Sequence, residues 1–373
     1  MVESRGINLF IDPFSHHYNQ DALFDPQNAK LNRDDILGPY IYLREWLTQR
    51  GIAVHTADYF FRNKISDEKN LYVSLGIWEH YRELAKRNDV RLLAFFAVEC
   101  PIVEPALYRE LKQAQNYFKH IFTTSDSASL ERFTNSPIRC ETFRYPISYN
   151  DVDEAQWKQT QRKFLAMINT NRLPRLDWQE LYTERLRAVE YFARFDEIDL
   201  YGTGWNEPSF KSGKARMPAT VQRLYRQGLR YWDRLHPNPL LIAARRVYRG
   251  AVVSKAETLG RYTFAICFEN SILKGWITEK IFDCMRAGTI PIYWGAPDIL
   301  DCVPSNCFID MRRFAKYAEL RDHLKSFTAK EIQSYRENAR DYMRSPQFRP
   351  FTKQAFAEIF ARLIAEETGT SVA

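Results

Sequence analysis

The sequence contains no hydrophobic run that approaches the roughly 20 apolar residues of a membrane-spanning helix, which argues against an integral membrane protein. It has six cysteines but no Cys-x-x-Cys pair, and several of the cysteines lie in apolar stretches, as reduced buried thiols do. The first residues lack the layout of a signal peptide. Internal repeats and low-complexity tracts are also absent. We therefore expect a cytoplasmic protein with reduced cysteines.

The composition is typical of a folded chain with large buried cores, because 45% of the residues are hydrophobic and 14% are aromatic. A length of 373 residues suggests about two domains. Strand-like and helix-like patterns alternate along the chain, which indicates an α/β fold with parallel sheets. A polar segment near residue 150 separates the two halves. We predict one domain over 1–150, a second over 151–350 with a basic helical insertion over 205–255, and a final helix over 351–373.

Residues 262–297 are the most informative stretch. Their pattern predicts a buried strand from Phe264 to Phe268, a helix from Thr278 to Gly288 and a second buried strand from Thr289 to Trp294. In open α/β sheets, ligands bind at the carboxyl ends of the strands, and a helix start with a lysine favours anions. The stretch therefore predicts a site for a phosphorylated ligand, although a Thr-Glu-Lys helix start also serves as ordinary capping. The polar residues at the element ends are Glu269, Asn270, Glu279 and Lys280.

The run FENSILKGWITEKIF, followed by AGTIPIYWGAP, closely resembles the donor-binding signature of the α1,3/4-fucosyltransferases, glycosyltransferase family 10. The resemblance is dense over about 255–311, thinner over 163–202 and local around Glu99, and it points to the soluble bacterial-type members. It implies a GT-B fold, in which two Rossmann-like domains with parallel sheets face each other, with additional C-terminal helices. It also implies an inverting enzyme that moves L-fucose from GDP-fucose to a saccharide hydroxyl, through an α1,3-type linkage on a bacterial glycan or lipopolysaccharide.

The resemblance also suggests roles for individual residues. Lys280 and Arg185 would neutralise the leaving diphosphate, with Arg187 as the alternative arginine on the same predicted helix. Glu279 would face the sugar and support positive charge at its anomeric carbon. Asn169 and Asn171 follow the predicted strand KFLAMIN and are either phosphate-side contacts or turn residues. The remaining predicted donor contacts are Asn270, Glu269, Thr278 and Trp276, the last of which stands where the family usually has tyrosine.

Glu99 is the predicted catalytic base, because the apolar strand VRLLAFFAV delivers it to a sheet edge, where partial burial raises the pKa of a carboxyl. The segment VECP resembles the family segment that carries the proposed base, with Cys100 in place of the usual serine or asparagine. Glu104 is the competing candidate. Alternatively, Glu99 is a glutamate in the N-cap region of the helix predicted to begin near Pro105.

No metal is required by this scheme, since Lys280, Arg185 and a helix start supply positive charge. The Asp-x-Asp sequence at 151–153 has the form of a manganese-binding motif, but no apolar strand leads into it, and we interpret it as a solvated turn. His16 and His17 have no partner at metal-ligand spacing, so they belong to an acceptor pocket or a surface loop. We predict no metal site and no essential divalent metal.

The net charge of +7 is concentrated in residues 211–255, where aromatic residues and leucines recur among the basic residues at helical spacing. This segment either packs on its domain through its aromatic side or makes a peripheral contact with an anionic membrane that carries a glycolipid acceptor. The basic residues are Lys211, Lys214, Arg216, Arg223, Arg226, Arg230, Arg234, Arg245, Arg246, Arg249 and Lys255.

Two other functions fit the sequence. The first is a transferase of the same fold that uses a different GDP-sugar, since diphosphate binding is generic. The second is a non-catalytic protein whose basic helix docks on a membrane or on nucleic acid. The presence of Glu99, Glu279 and Lys280 together argues against the second function, so we do not expect nucleic acid as a partner.

Overall fold

The structure, a computed structural model, describes residues 6–62, 69–77, 79–211, 219–369 and 372. Two of the basic residues singled out in the sequence, Lys214 and Arg216, lie outside these ranges. The chain forms two compact units. Unit 1 contains Met1–Pro101, Pro105–Asn150 and Pro346–Ala373, and unit 2 contains Ile102–Glu104 and Asp151–Ser345.

Unit 1 is built on a six-stranded parallel sheet with the order β2-β1-β3-β4-β5-β6. Its strands are β1 (Ile7–Asp12), β2 (Ile52–Thr56), β3 (Lys69–Ser74), β4 (Arg91–Ala97), β5 (His120–Thr123) and β6 (Glu141–Thr142). Its first helices are α1 (Gly38–Thr48), α2 (Asp58–Arg62), α3 (Tyr81–Leu84), α4 (Pro105–Ala114) and α5 (Ser127–Thr134).

Unit 2 contains a five-stranded parallel sheet with the order β13-β12-β11-β7-β9 and a separate parallel pair, β10-β8. Its strands are β7 (Lys163–Ile168), β8 (Arg172–Leu173), β9 (Ile198–Tyr201), β10 (Phe210–Lys211), β11 (Tyr262–Ile266), β12 (Ile290–Tyr293) and β13 (Ile309–Asp310). Its helices are α6 (Glu154–Trp157), α7 (Tyr182–Ala193), α8 (Ala219–Leu235), α9 (Pro239–Val247), α10 (Lys255–Leu259), α11 (Glu279–Arg286), α12 (Tyr317–Ser326) and α13 (Ala329–Arg344).

The chain then returns to unit 1 with helix α14 (Lys353–Thr368), which packs against α1. The apolar face of α14 enters the unit 1 core, where the ring of Phe360 stacks on that of Phe96 at a centroid distance of 5.4 Å. Short 3-10 helices complete the described chain at His16–Tyr18, Ala22–Phe24, Arg33–Asp35, Ile299–Asp301, Met311–Arg313 and Arg349–Phe351.

The two main sheets share one strand order. When the strands are numbered within each sheet, both sheets begin 2-1-3-4-5, with the first strand between the second and the third. In such doubly wound sheets, ligands bind where the strand order reverses, at the carboxyl ends of the first and third strands. This position lies between β1 and β3 in unit 1 and between β7 and β11 in unit 2.

The predicted α/β class with parallel sheets is confirmed, with differences in detail. The strand β3 was not predicted. The apolar spacing over residues 34–50 predicts one helix, but the helix begins at Gly38 because residues 34 and 35 have positive φ angles. The strand predicted from Phe264 to Phe268 is Tyr262–Ile266. All six cysteines are free, as predicted. Among the described residues, no helix has both the length and the apolar character needed to cross a membrane.

Candidate functional site

Glu269 is the centre of a buried polar cluster at the carboxyl edge of the unit 2 sheet. It follows β11, its side chain is 0% exposed, and its backbone N–H donates to the carbonyl of Trp294 beyond β12 at 2.8 Å. Its carboxylate accepts hydrogen bonds from the Thr278 N–H at 2.8 Å, from the Thr278 hydroxyl at 2.9 Å and from Lys280 Nζ at 3.1 Å. A Cβ on Gly295 would lie 2.5 Å from the Glu269 Cγ, so this packing requires glycine there.

Thr278 connects Glu269 to Lys280, since its hydroxyl donates to Glu269 and accepts from Lys280 Nζ at 2.8 Å. Thr278 occupies the N-cap position of α11, as predicted, but its side chain makes no capping bond, so the alternative of ordinary capping by this side chain is wrong. Burial would lower the pKa of Lys280, but the carboxylates of Glu269 and Glu279 outweigh it, and the pKa is raised. The ammonium at this helix start is thus firmly charged.

Glu279 lies at the first position of α11 between two lysines. Its Oε1 is 3.7 Å from Lys255 Nζ and 3.8 Å from Lys280 Nζ. Burial alone would raise the pKa of Glu279, but the attraction of Lys280 and Lys255 lowers it to about 2. Lys255 itself bonds Asp283 at 2.8 Å. The sequence analysis missed this role of Lys255, although the residue opens the region of dense resemblance.

Arg185 is 5% exposed and lies near the carboxyl end of β11, next to the position where the strand order reverses. Its guanidinium donates to the carbonyl of Phe268 at 2.7 Å and to Oδ1 of Asn270 at 3.0 Å. It therefore fixes both the end of β11 and the side chain of Asn270. The alternative residue, Arg187, is exposed and bonded to Glu184.

The other predicted donor residues have different surroundings. Asn169 follows β7, and its carbonyl comes so close to Gly202, where φ is +124°, that a Cβ there would lie 1.8 Å away. Asn171 is buried and its amide bonds the carbonyls of residues 204 and 207, so it organises a turn. Trp276 is buried, and its indole N–H has no hydrogen-bond acceptor within the described part of the chain.

Glu99 lies in unit 1, two residues after the end of β4 at Ala97. Its Oε1 accepts the N–H of Cys100 at 2.8 Å, and its carbonyl accepts the Tyr108 hydroxyl at 2.7 Å. These bonds hold the loop and leave the carboxyl group half-buried. Glu104 directly precedes α4. His17 bonds the hydroxyl of Ser15 at the start of a short exposed helix.

The Asp-x-Asp residues make local structural bonds. Asp151 bonds Arg344 at 2.8 Å, and Asp153 caps α6 by accepting the N–H of Ala155. Across the described ranges, no group of three or more His, Cys, Asp or Glu side chains is arranged to hold a metal ion.

Known proteins resemble the part of the chain that contains these residues. Residues 246–355 match the sequence model of "Glycosyltransferase family 10 (fucosyltransferase) C-term". Over 74 residues the chain is 39% identical to the α-(1,3)-fucosyltransferase FucT of Helicobacter pylori. This match covers 20% of this chain and 16% of the length of FucT. Over 67 residues it is 34% identical to an α-(1,4)-fucosyltransferase of Arabidopsis thaliana, covering 18% and 17%. The matches thus span about a sixth of each relative's length.

Solved structures resemble the whole chain at low sequence identity. A glycosyltransferase from Rickettsia africae superposes with a TM-score of 0.52 at 12% identity, covering 97% of this chain and 98% of that one. Anabaena HepE, crystallised with UDP, gives 0.52 at 13% identity, covering 96% and 100%. The fold is therefore the predicted GT-B type. The match of residues 246–355 to the family 10 model agrees with the family that the motif predicts.

Proposed function

We propose that this protein is an inverting glycosyltransferase that moves L-fucose from GDP-fucose to a hydroxyl group of a saccharide acceptor. The observation that carries this proposal is the buried Glu269–Thr278–Lys280 cluster at the reversal of strand order in unit 2, within a family 10 domain. Fully buried carboxylates are almost always paired, and an ammonium held at a helix start suits a diphosphate.

The donor site would use its charges in two ways. Lys280 and the start of α11 would bind the diphosphate and stabilise the negative charge that grows on it as the sugar departs. Arg185 adds positive charge, but its bonds to Phe268 and Asn270 make it chiefly a residue that positions Asn270 toward the nucleotide-sugar. The other predicted contacts, from Asn169 and Trp276, belong to the same proposal.

Glu279 would stabilise the sugar. With a pKa of about 2 its carboxylate is ionised at neutral pH, as the stabilisation of an oxocarbenium-like transition state requires. Glu99 would take the proton of the acceptor hydroxyl while the oxygen attacks the anomeric carbon. The bond from that carbon to the β-phosphate breaks, and GDP leaves with the electron pair. One displacement inverts the configuration.

Lys280, Arg185 and Lys255 supply the positive charge without a metal, so we propose that no divalent metal is essential. For the acceptor we propose a bacterial glycan or glycolipid joined through an α1,3-type linkage. A different GDP-sugar is the alternative donor, because the described contacts would bind any sugar diphosphate.

Isothermal titration in a chelating buffer tests the donor assignment, with GDP, GDP-fucose, GDP-mannose and UDP-glucose as ligands. Loss of one charge-assisted contact is worth about 1.5–3 kcal/mol, so Lys280→Ala should weaken GDP binding by about 10- to 100-fold. Arg185→Ala should also weaken it, whereas the matched variant Arg187→Ala should change it less than about twofold. No GDP binding, or binding of UDP-glucose only with manganese, would overturn the assignment. Equal use of GDP-mannose in transfer assays would support the alternative donor.

We also propose that a cytoplasmic form of this protein contacts the inner face of an anionic membrane through α8. The apolar residues of this helix are exposed, with Leu224 at 68% and Trp232 at 61%. The interpretation in which the aromatic side packs on the domain is therefore wrong. Arginines occupy the opposite face at positions 223, 226, 230 and 234, which is the pattern of helices that lie on anionic lipid surfaces.

Co-sedimentation with lipid vesicles tests this contact. The protein should pellet with phosphatidylglycerol vesicles, bind pure phosphatidylcholine much more weakly, and lose most of its binding in Leu224→Gln/Trp232→Gln. Val253→Gln is the matched control, since Val253 is an exposed apolar residue outside the helix. Equal binding of wild type and double variant would contradict the proposal. Tight binding to duplex DNA with no transfer activity would instead favour the non-catalytic alternative.

A further inference from the structure

Unit 1 has a buried carboxylate at the position where its own strand order reverses. Asp12 is the last residue of β1, is paired in register with Ser74 at the end of β3, and is almost fully buried. Its Oδ2 accepts the hydroxyl of Tyr72 at 2.6 Å and lies 2.7 Å from Nδ1 of His80. Burial, followed by the proximity of Asp12, raises the pKa of Tyr72 well above its ordinary value, so the phenol remains a hydrogen-bond donor.

The contact with Asp12 fixes the orientation of the His80 ring. A carboxylate bound at Nδ1 selects the tautomer with the proton on that nitrogen and the lone pair on Nε2. The His80 side chain is 33% exposed while Asp12 is only 2% exposed, so the buried group positions the accessible one. Hydrogen-bonding imidazoles held in this way are common at ligand sites.

Aromatic rings surround His80. The ring of Phe61 lies 5.1 Å from that of His80 between centroids and is 46% exposed. The ring of His16 lies 5.9 Å from His80, on the exposed 3-10 helix that follows β1. An exposed aromatic face beside fixed polar groups suits a ligand that has both an apolar face and hydroxyl groups.

We propose that Phe61, His80 and His16 form a subsite for one pyranose ring of the saccharide acceptor. The ring's C–H face would pack on Phe61, and its hydroxyls would bond the two imidazoles. The identification of this sugar as an acceptor rests on the proposed function, whereas the subsite itself rests only on unit 1.

A second Asp–His pair in the same unit provides an internal comparison. His55 Nδ1 lies 2.8 Å from Asp21 Oδ2, and its ring stacks on Tyr59 with an exposure close to that of His80. However, Asp21 also pairs with Arg44 at 3.3 Å and accepts the N–H of Thr56 at 2.8 Å. This pair fastens the loop at residue 21 to the end of β2, so His55 is the matched structural control for His80.

Saturation-transfer NMR and titration with lactose, N-acetyllactosamine and maltose test the subsite in the full chain with GDP present. At least one sugar should bind to wild type, and Phe61→Ala and His80→Gln should each weaken it at least tenfold. His55→Gln should weaken sugar binding less than twofold, and Phe61→Tyr, which keeps an aromatic ring, should bind the sugar as wild type does. All four variants should keep the wild-type affinity for GDP.

Equal sugar binding by wild type and Phe61→Ala would overturn the subsite, as would the absence of any sugar binding at tens of millimolar. The two proposals fail separately. If the protein binds sugar in a way that depends on Phe61 but does not bind GDP, the subsite is supported and the donor assignment is contradicted. GDP binding with no effect of Phe61 or His80 on sugars would do the reverse.

Discussion

The carboxyl edges of the two sheets have the same strand order but different chemistry. In unit 2 the edge carries full charges that compensate each other, with Glu269 buried against Lys280 and Arg185 close by. In unit 1 the corresponding edge carries one buried carboxylate, Asp12, whose described partners are a phenol and an imidazole. One topology thus supports a site for an anion of fixed charge and, in the other unit, a site suited to a neutral polyol.

This difference follows from where each sequence places its lysines and aromatic residues. The strand order determines only that side chains after the first and third strands meet at one edge. The residues that follow those strands decide what is bound. In unit 2 the helix after the third strand supplies Lys280. In unit 1 the third strand is followed by His80, and α2, after the second strand, adds the exposed ring of Phe61.

The largest expected effect comes from breaking the charge compensation in unit 2. Glu269→Ala would leave the partly buried Lys280 without its closest carboxylate, and breaking such a pair typically costs about 3–5 kcal/mol of unfolding free energy. Urea unfolding at pH 7 measures it. The matched control is Glu207→Ala, since Glu207 pairs with Arg230 at an exposed site and should cost less than about 1 kcal/mol. A loss as small as that of the control would show that the buried cluster is not electrostatically coupled.

A smaller effect is expected from Glu279 and depends on pH. Its pKa is about 2 in the folded protein against 4.5 ordinarily, so its stabilising contribution is present above pH 4.5 and is lost as the pH falls toward 2. With partial solvent exposure allowed for, Glu279→Gln should lower the unfolding free energy by about 2 kcal/mol at pH 7. The gap between variant and wild type should close by pH 2–3. A gap independent of pH would contradict this assignment.

The smallest effect is expected at the unit 1 edge. Asp12→Asn keeps an acceptor for Tyr72 and His80, so it should cost about 1 kcal/mol. Differential scanning calorimetry with and without GDP measures this, because GDP should stabilise the variant as much as the wild type. A loss as large as that of Glu269→Ala would remove the contrast between the two edges.

Much of the fold could be predicted because the strands of parallel sheets are continuous apolar runs. β4 and β11 are of this kind. β3 was missed because its sequence, KNLYVS, has only three consecutive apolar residues between polar ones. Its Asn70 is satisfied by bonds to Asn8 and to the carbonyl of Asp89, and no local pattern reveals such long-range partners.

The candidate site was predictable to a different extent. The motif located Glu269, Thr278, Glu279 and Lys280 because these residues are close in sequence. Their interactions could not be predicted. The Thr278 hydroxyl donates a hydrogen bond to Glu269 instead of capping the helix, and Lys255, on a preceding helix, forms an ion pair with Glu279. The Asp12–His80 pair joins residues 68 positions apart and has no sequence signal.

The packing of α14 into the core of unit 1 has a consequence for how the protein is made. The ribosome finishes residues 1–150 long before it adds Phe356 and Phe360, which lie in the same core as Leu9 and Phe96. At roughly 5–20 residues per second, the N-terminal segment waits about 10–45 seconds for its last helix. Unit 2, whose segments are nearly contiguous, completes its core first. The core of unit 1 is therefore completed last, although most of its residues are translated first.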